Sequence, residues 1–488
     1  MQIFHQWSWI TVSVSILAGL LVVPAHARQT TVTGGANTSY DFRSRSYKEN
    51  TSGTNSDEGD ARKVGIGPEV SVVSTDIYDT LTFRYAPSFY YDYTSENNGV
   101  DHSLNLKGER ALSRFWSLTV TDDFTRSDDP SVASSSSNNT PYSGGGGQPL
   151  MTPTDQLSRD LSGQTYWTNT ATVQTAYTLS ALSSIGGGYS YSVLRNDQGS
   201  GGYTSQQDAQ DYNDYDKHAF FTNYSHGFNQ NWRSSLGLNY TRGLYDEAPA
   251  GTGNSVGNPD LDQYGGNVGV DYIQDPNNLF PLKYSYSETQ YDGDTRPGYQ
   301  AHNGSIGWDH ALDPRTRLAV GAGPSFAKTD GLDGTWGYNG YLSFSRKYEH
   351  AAFALMLDKQ YAAQNFTGTE DSGLTDTYSA TATLTYQYTE RLALDVHGRY
   401  SWESTFSPQG DYLAAANGGN ASGNTTGDTA YDTNTYEAGV GCSYSFAQWY
   451  RAGVKYTYYV SDGNLASDQY TDHQVLFTLS AAKELWRW

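Results

Sequence analysis

Residues 377–400 read TYSATATLTYQYTERLALDVHGRY, and this stretch decides the fold class. Tyr378, Ala380, Ala382, Leu384 and Tyr386 alternate with Thr377, Ser379, Thr381, Thr383 and Thr385. After a short break at Thr389–Arg391, Leu392, Leu394, Val396 and Tyr400 alternate with Asp395, His397 and Arg399. Successive side chains of an extended chain point to opposite faces, so a period of two places each set on one face of a strand. The stretch is two strands joined by a short turn, each with one apolar and one polar face.

The same unit recurs along the chain. Phe353, Leu355 and Leu357 oppose Ala354, Met356 and Asp358; Ala452, Val454, Tyr456 and Tyr458 oppose Arg451, Gly453, Lys455 and Thr457. Short turns fall near Asp76–Asp79, Leu112–Arg114, Leu179–Ser183, Asn229–Asn231, Asp275–Asn278, Asp313–Arg315, Lys347–Glu349, Thr389–Arg391 and Ala447–Gln448. Between them lie longer segments rich in Ser, Thr, Asn, Asp and Gly, as loops are: Ser46–Ala61, Arg126–Ser162, Asn196–Asp211, Glu247–Pro259 and Phe406–Thr429. Nine short turns, with both termini on their side, predict 20 strands. Weak segments at Tyr166–Tyr177 and Lys217–Ser225 widen the range to 16–22. Short turns at one end and long loops at the other are expected of transmembrane barrels. The fold class is therefore all-β, an antiparallel up-and-down transmembrane β-barrel. Its apolar faces meet lipid and its polar faces line the lumen.

Composition agrees. Of 488 residues, 36% are apolar, yet there are 41 Tyr and 11 Trp, too many aromatics for a disordered chain. Tyr and Trp cluster at strand ends, as at Tyr90, Tyr91 and Tyr93, or Trp449 and Tyr450, where amphipathic rings suit a membrane interface. One cysteine excludes a disulfide framework. A net charge of −22 argues against nucleic acid as a partner. Residues 1–27 read as a secretory signal: an apolar run from Ile10 to Val23, then Ala25-His26-Ala27 as a small-x-small cleavage site. Residues 28–488 form the single barrel domain.

The C-terminal strand, Gln474–Trp488, carries the most specific resemblance. Val475, Phe477, Leu479 and Ala481 alternate and Trp488 is terminal. On these features the chain resembles Gram-negative outer-membrane β-barrels, and more narrowly the β-barrel porin families of this size that lack a plug. The resemblance implies an outer-membrane location and an insertion signal at Phe477, Leu479 and Trp488, read by the barrel-insertion machinery. Trp486 and Trp488 fall on the opposite parity from Phe477. A shift or bulge near Lys483–Glu484 would reconcile them.

The expected function is passive passage of small hydrophilic solutes or ions, so the lumen is the candidate site. Pore-lining candidates by strand phase are Arg84, Asp92, Lys107, Asp123, Asp271, Lys283, Arg317, Asp358, Asp395, Arg399, Glu437, Arg451 and Lys455. Both signs are nearly balanced, so the wall is no single-sign filter. Acidic loops favour a mild cation preference at the mouth. The alternative from another class is a structural or partner-dependent barrel serving exopolysaccharide or protein export, its lumen occluded. Arg126–Ser162 is long enough to fold inward. Asp211, Asn213, Asp214 and Asp216, Asp292-Gly293-Asp294 and Asp330-Gly331-Leu332-Asp333-Gly334 lack the full spacing of a calcium loop, and no zinc spacing or nucleophile elbow stands out. No cofactor, metal or enzymatic activity is expected. Expected partners are outer-membrane lipid and lipopolysaccharide, the insertion machinery and small hydrophilic solutes. Self-association stays open.

Overall fold

The computed structural model describes residues 28–47, 59–128, 165–196, 214–246, 259–293, 296–331, 333–366, 373–406, 431–463 and 469–488. The signal segment 1–27 and most of Arg126–Ser162 lie outside the described residues, as do Asp211, Asn213, Asp294 and Leu332. Twenty strands follow in chain order. The first ten are β1 (Gln29–Tyr47), β2 (Gly59–Thr75), β3 (Asp79–Asp92), β4 (Asn97–Ser113), β5 (Trp116–Ser127), β6 (Tyr166–Ser180), β7 (Ser183–Asn196), β8 (Tyr215–Gly227), β9 (Trp232–Tyr245) and β10 (Leu261–Asp275). The second ten are β11 (Asn278–Tyr291), β12 (Tyr299–Asp313), β13 (Thr316–Thr329), β14 (Thr335–Lys347), β15 (Ala351–Gln364), β16 (Gly373–Gln387), β17 (Leu392–Phe406), β18 (Tyr431–Ser445), β19 (Tyr450–Gly463) and β20 (Tyr470–Arg487).

Each strand pairs antiparallel with its chain neighbours, and β1 pairs with β20, so the sheet closes. Closure removes the free edges that an open sheet must protect. At the seam, Thr30 and Trp488 exchange backbone hydrogen bonds of 2.8 and 3.0 Å. Twenty strands about 4.8 Å apart and tilted roughly 40° give a backbone diameter of about 40 Å. A barrel this wide leaves a broad lumen unless something fills it.

All nine short turns close one end, and local chemistry explains them. Asn229 Oδ1 accepts from Asn231 N (2.8 Å) and Trp232 N (3.0 Å). Asp275 Oδ1 accepts from Asn277 N (2.8 Å), and Asp313 Oδ1 from Arg315 N (2.7 Å). Such side chains mimic a backbone turn and end the ladder within a few residues. The other end carries longer connections with one exception: Tyr93–Glu96 joins β3 to β4 tightly. There Glu96 takes a left-handed φ of 52°, and Asp92 Oδ1 caps the turn by accepting from Thr94 N (2.8 Å).

The outer face is identified by what it exposes. Leu236, Leu238, Val268, Leu282, Tyr284, Ile306 and Val320 share one parity and are all exposed. Cross-strand partners agree, as in Leu236↔Val268↔Tyr284. Trp232 and Tyr240 bound this band on β9. At about 3.4 Å per residue and a tilt of roughly 40°, they lie about 20 Å apart in depth, near the height of a barrel's apolar band.

The upper girdle repeats one device. A tyrosine hydroxyl meets the side chain that stands opposite the residue two positions nearer the loops. The pairs are Tyr85–His102 (3.0 Å), Tyr189–His218 (2.8 Å), Tyr240–Asp262 (2.6 Å), Tyr284–His302 (2.8 Å), Tyr400–Asn434 (3.0 Å) and Tyr456–His473 (2.9 Å). Each ring thus lies toward lipid while its hydroxyl points toward the wet end, as an amphipathic ring at an interface should. The lower girdle sits at the turns and includes Trp116, Trp232, Trp449, Trp486 and Trp488.

Trp486 and Trp488 reach the outer face through a bulge. The β1–β20 register shifts at Val32/Thr33, where Glu484 pairs with Thr33 and Trp486 with Val32, leaving Leu485 as the extra residue. The bulge falls one residue beyond the position expected from parity. An extra residue switches which side chains follow on each face.

Candidate functional site

The inner face is fixed by convergence. Tyr166 of β6, Leu194 of β7, Tyr215 of β8, Tyr245 of β9, Leu261 of β10 and Tyr291 of β11 pack in or against one cluster around Phe366. Tyr299 of β12 reaches the neighbouring Asn365. Only the concave side of a barrel lets seven consecutive strands meet at one point.

Asn365 and Phe366 directly follow β15, and they sit inside the lumen, 1% exposed each. The Phe366 ring meets Tyr215 edge-to-face at 5.3 Å and stacks on Tyr245 at 6.1 Å, and Lys217 Nζ lies 4.3 Å from its centroid. Gly243 makes the space: a Cβ there would come within 2.6 Å of the ring. Tyr299 Oη donates to Asn365 Oδ1 (2.6 Å), Tyr291 Oη donates to the same oxygen (3.0 Å), Asn365 Nδ2 donates to Thr289 Oγ1 (3.2 Å), and Tyr245 Oη donates to the Asn365 carbonyl. Tyr361, Ala363 and Leu374 pack on Tyr299, Ala301 and Ala327 of the inner wall. Burying a phenylalanine is worth about 1.5–3 kcal/mol, and the amide's hydrogen bonds remove the cost of burying Asn365.

The upper part of the β15–β16 hairpin therefore folds into the lumen and narrows its loop end. Its apolar face, which elsewhere on the barrel meets lipid, here meets the inner wall. Arg126–Ser162, long enough to fold inward, lies mostly outside the described residues; among those described, it is the β15–β16 connection that enters the lumen. One sequence signal marks the docking wall: apolar residues hold inner positions at the loop ends of β6–β13, where polar ones are the rule.

All thirteen pore-lining candidates take the inner parity, but they differ in what they touch. Arg84 forms a bidentate pair with Glu69 (2.9 Å twice), and Lys107 meets Glu109 (2.8 Å). Arg317 Nε donates to Asp309 Oδ1 (2.7 Å), and Asn105 donates to Asp123. Asp92 is occupied with the Tyr93–Glu96 turn. Asp271 stands opposite Arg233 and Pro281, Lys283 opposite Gly269 and Ser305, and Asp358 opposite Tyr341 and Ser379. Asp395 lies over Gly441, Arg399 stands opposite Glu437, and Glu437 Oε1 meets His397 Nε2 at 3.1 Å.

Arg451 and Lys455 make no ion pair among the described residues, nor does Arg391 beside them. Arg391 lines a cavity of about 580 Å³ with Arg451, Ser443, Ser445, Gln387, Glu390 and Ala393. Ser445 stands directly opposite Arg451, and its N–H donates to the Arg391 carbonyl (2.8 Å). Two arginines, one glutamate and two serines thus line an open cavity at the turn end of the lumen. Among the described residues no group of three or more His, Cys, Asp and Glu is placed to hold a metal ion.

A closed 20-strand barrel with an exposed apolar band outside and charges inside defines a transmembrane β-barrel. No helical plug is present among the described residues. No protein-family model matches the chain, and no curated protein matches it. Among solved structures, OpdO of Pseudomonas aeruginosa is similar at a TM-score of 0.42 and 11% identity, over 93% of this chain and 98% of that one. The siderophore receptor PirA of Pseudomonas aeruginosa is similar at 0.45 and 8% identity, over 92% and 80%. OpdK of Pseudomonas aeruginosa, solved with vanillate, is similar at 0.40 and 10% identity, over 93% and 99%. At these scores the function rests on the barrel's own geometry.

Proposed function

We propose that this chain is an outer-membrane channel of a Gram-negative bacterium that passes small hydrophilic solutes or ions without catalysing a reaction. The observation that carries the reading is the inner wall, where Arg391 and Arg451 line an open cavity at the turn end and, like Lys455 further along β19, make no ion pair among the described residues. A barrel built only to seal or scaffold has no use for cations held in no ion pair on its inner wall, whereas a channel uses them to hold and release passing ions. The exposed apolar band and the two girdles fit a barrel seated in lipid.

Residues 1–27 direct export in this reading. Phe477, Leu479 and Trp488 form the insertion signal, and lipopolysaccharide meets the upper girdle. A second reading is favoured by one observation, the hairpin in the lumen. It makes the chain a structural or partner-dependent barrel of an export system, closed until a partner displaces the hairpin. Single-channel recording of the mature chain in a planar bilayer, with the reversal potential in a KCl gradient, separates the two. Stable conductance steps support the channel. Inserted, heat-modifiable protein without conductance supports the occluded barrel.

A further inference from the structure

β15 leaves the wall half-way along its length. Its ladder with β14 runs from Lys347↔Ala352 to Gly340↔Lys359 and stops there. Beyond that rung β14 continues to pair with β13, from Gly340↔Ala322 to Thr335↔Ala327. β15 continues to pair with β16, from Lys359↔Tyr378 to Gln364↔Gly373. Thr335–Asn339 and Gln360–Gln364 are thus two strand edges with no ladder partner on the side where they once faced each other.

Their register is already set. Carrying the β14–β15 ladder past Gly340↔Lys359 brings Asn339 opposite Gln360, Tyr338 opposite Tyr361, Gly337 opposite Ala362, Trp336 opposite Ala363, and Thr335 opposite Gln364. In that arrangement Tyr361 and Ala363 would join the outer row beside Tyr338 and Trp336. Trp336 and Tyr338 are now 75% and 58% exposed. In the arrangement seen, Tyr361 and Ala363 are instead buried against Ala301 and Ala327 inside. One arrangement gains backbone ladder, and the other gains side-chain burial.

The point of departure is built for two seats. In six other hairpins the upper girdle joins a tyrosine to a histidine or, once each, to Asn434 and Asp262. At the corresponding place on β15–β16 stands an ion pair, Lys359 Nζ to Asp376 Oδ1 at 2.7 Å. Lys359 is 7% exposed. Its amine lies 4.1 Å from the Tyr361 centroid, 4.9 Å from Tyr338 and 5.3 Å from Tyr378. Tyr338 is on the outer face, while the Tyr361 ring packs against the inner side of Gly337, where a Cβ would meet it at 2.8 Å. Lys359 therefore bridges the outer girdle and the infolded segment. A cation attracted to several ring faces keeps a favourable contact as the rings rearrange.

We propose that the edge Thr335–Asn339 is a second seat for the chain's own Gln360–Gln364, so that the β15–β16 hairpin is a gate. Infolded, as seen, it narrows the loop end of the lumen. Zipped onto β14, it completes the wall, withdraws Asn365 and Phe366 from the interior and widens the passage. The link to conductance rests on the channel reading above; the two seats do not.

Disulfide trapping of the full chain in membranes, in a Cys442→Ser background, tests this. Ala363→Cys with Ala301→Cys locks the infolded seat. Ala363→Cys with Trp336→Cys locks the wall seat, and Thr335→Cys with Gln364→Cys repeats it with other side chains. Two cysteines bridge only when their Cα atoms come within about 7 Å, so each bond reports one seat. The expected result is that all three bonds form under mild oxidation, read by mass spectrometry. Conductance then rises about twofold or more in the wall-locked forms, falls in the infolded lock, and returns with reductant. Formation of the 301–363 bond with neither wall bond overturns the proposal. So do wall bonds that leave conductance unchanged in a conducting barrel. Wall bonds forming in a barrel that conducts in no state uphold the two seats and count against the channel reading alone.

Discussion

The two halves of the lumen are made from the same alternating strands and end up opposite in character. At the loop end of β6–β13 the inner wall is aromatic and aliphatic, and the chain returns to cover it: Phe366 and Asn365 are engaged by Tyr215, Tyr245, Tyr291 and Tyr299. At the turn end the inner wall is charged, and Arg391 and Arg451, like Lys455 further along β19, make no ion pair among the described residues. The difference teaches that alternation settles which side chains face inward but not whether they meet water or protein. That depends on whether another part of the chain is long enough and free enough to come back.

The largest effect should come from removing what fills the loop end. The double substitution Asn365→Ala with Phe366→Ala takes away the ring and the amide that hold the hairpin, and single-channel conductance should rise about twofold or more. Unchanged conductance would mean that the loop end does not limit flow, and the contrast between the halves would lose its functional meaning.

Reversing charge at the other end comes next. Arg391→Glu with Arg451→Glu should shift the reversal potential in a KCl gradient toward cations. The permeability ratio should change about three- to tenfold, as expected for a few charges acting through water at close range. The same exchange at Arg84 with Glu69, which are already paired, should change it far less. Equal shifts at both places would erase the distinction between paired and unpaired wall charge.

A smaller effect is expected at the seam, where the turn end is tied by the terminal residue. Trp488→Ala keeps the two backbone hydrogen bonds with Thr30 but loses the interfacial ring. The fraction of heat-modifiable, folded barrel in membranes should fall, while barrels that do form conduct normally. Deleting Leu485 should be milder, because Trp486 and Trp488 stay opposite Val32 and Thr30 on the outer face without the bulge.

The smallest effect lies at the loop rim, where ion pairs do what backbone does at the seam. Arg242 reaches Asp262 (2.9 Å) and Asp292 (2.7 Å). The hydrogen bond from Arg242 holds the Asp292 carboxyl below its usual range. A lowered carboxylate pKa adds stability that is present above the unfolded value, and it is lost as pH falls through the folded one. Asp292→Asn should therefore lower the melting temperature slightly at neutral pH, and the two proteins should converge only as pH falls below the ordinary carboxylate range, under about pH 4. A difference that persists in strong acid would rule out the charge as its cause. Because Asp292 is exposed, solvent screening keeps the effect small.

Much of the architecture was legible. The nine short turns, the 20 strands and the inner parity of Arg84, Asp271, Lys455 and the other wall charges are local properties of period and turn chemistry. The bulge at Leu485 was legible too, because Trp486 and Trp488 break parity with Phe477. The infolded hairpin was not. Tyr361 and Ala363 continue the parity of Phe353, Leu355 and Leu357, and that pattern is the same whether the apolar face covers lipid or covers Ala301 and Ala327. Nor does the sequence tell Arg451, which stands alone, from Arg317, which is held by Asp309: both are single cations on polar faces.

By itself, then, the sequence determined the strand count, the closure and the inside and outside of every strand, since these follow from a two-residue period and from polar atoms that end a ladder. Only the tertiary structure decided that β15 quits the wall at Lys359, that six strands converge on Phe366 and a seventh on Asn365, and which wall charges find partners. These are contacts between residues up to two hundred positions apart, and their outcome is a balance of ladder hydrogen bonds against buried side chains that no local pattern contains.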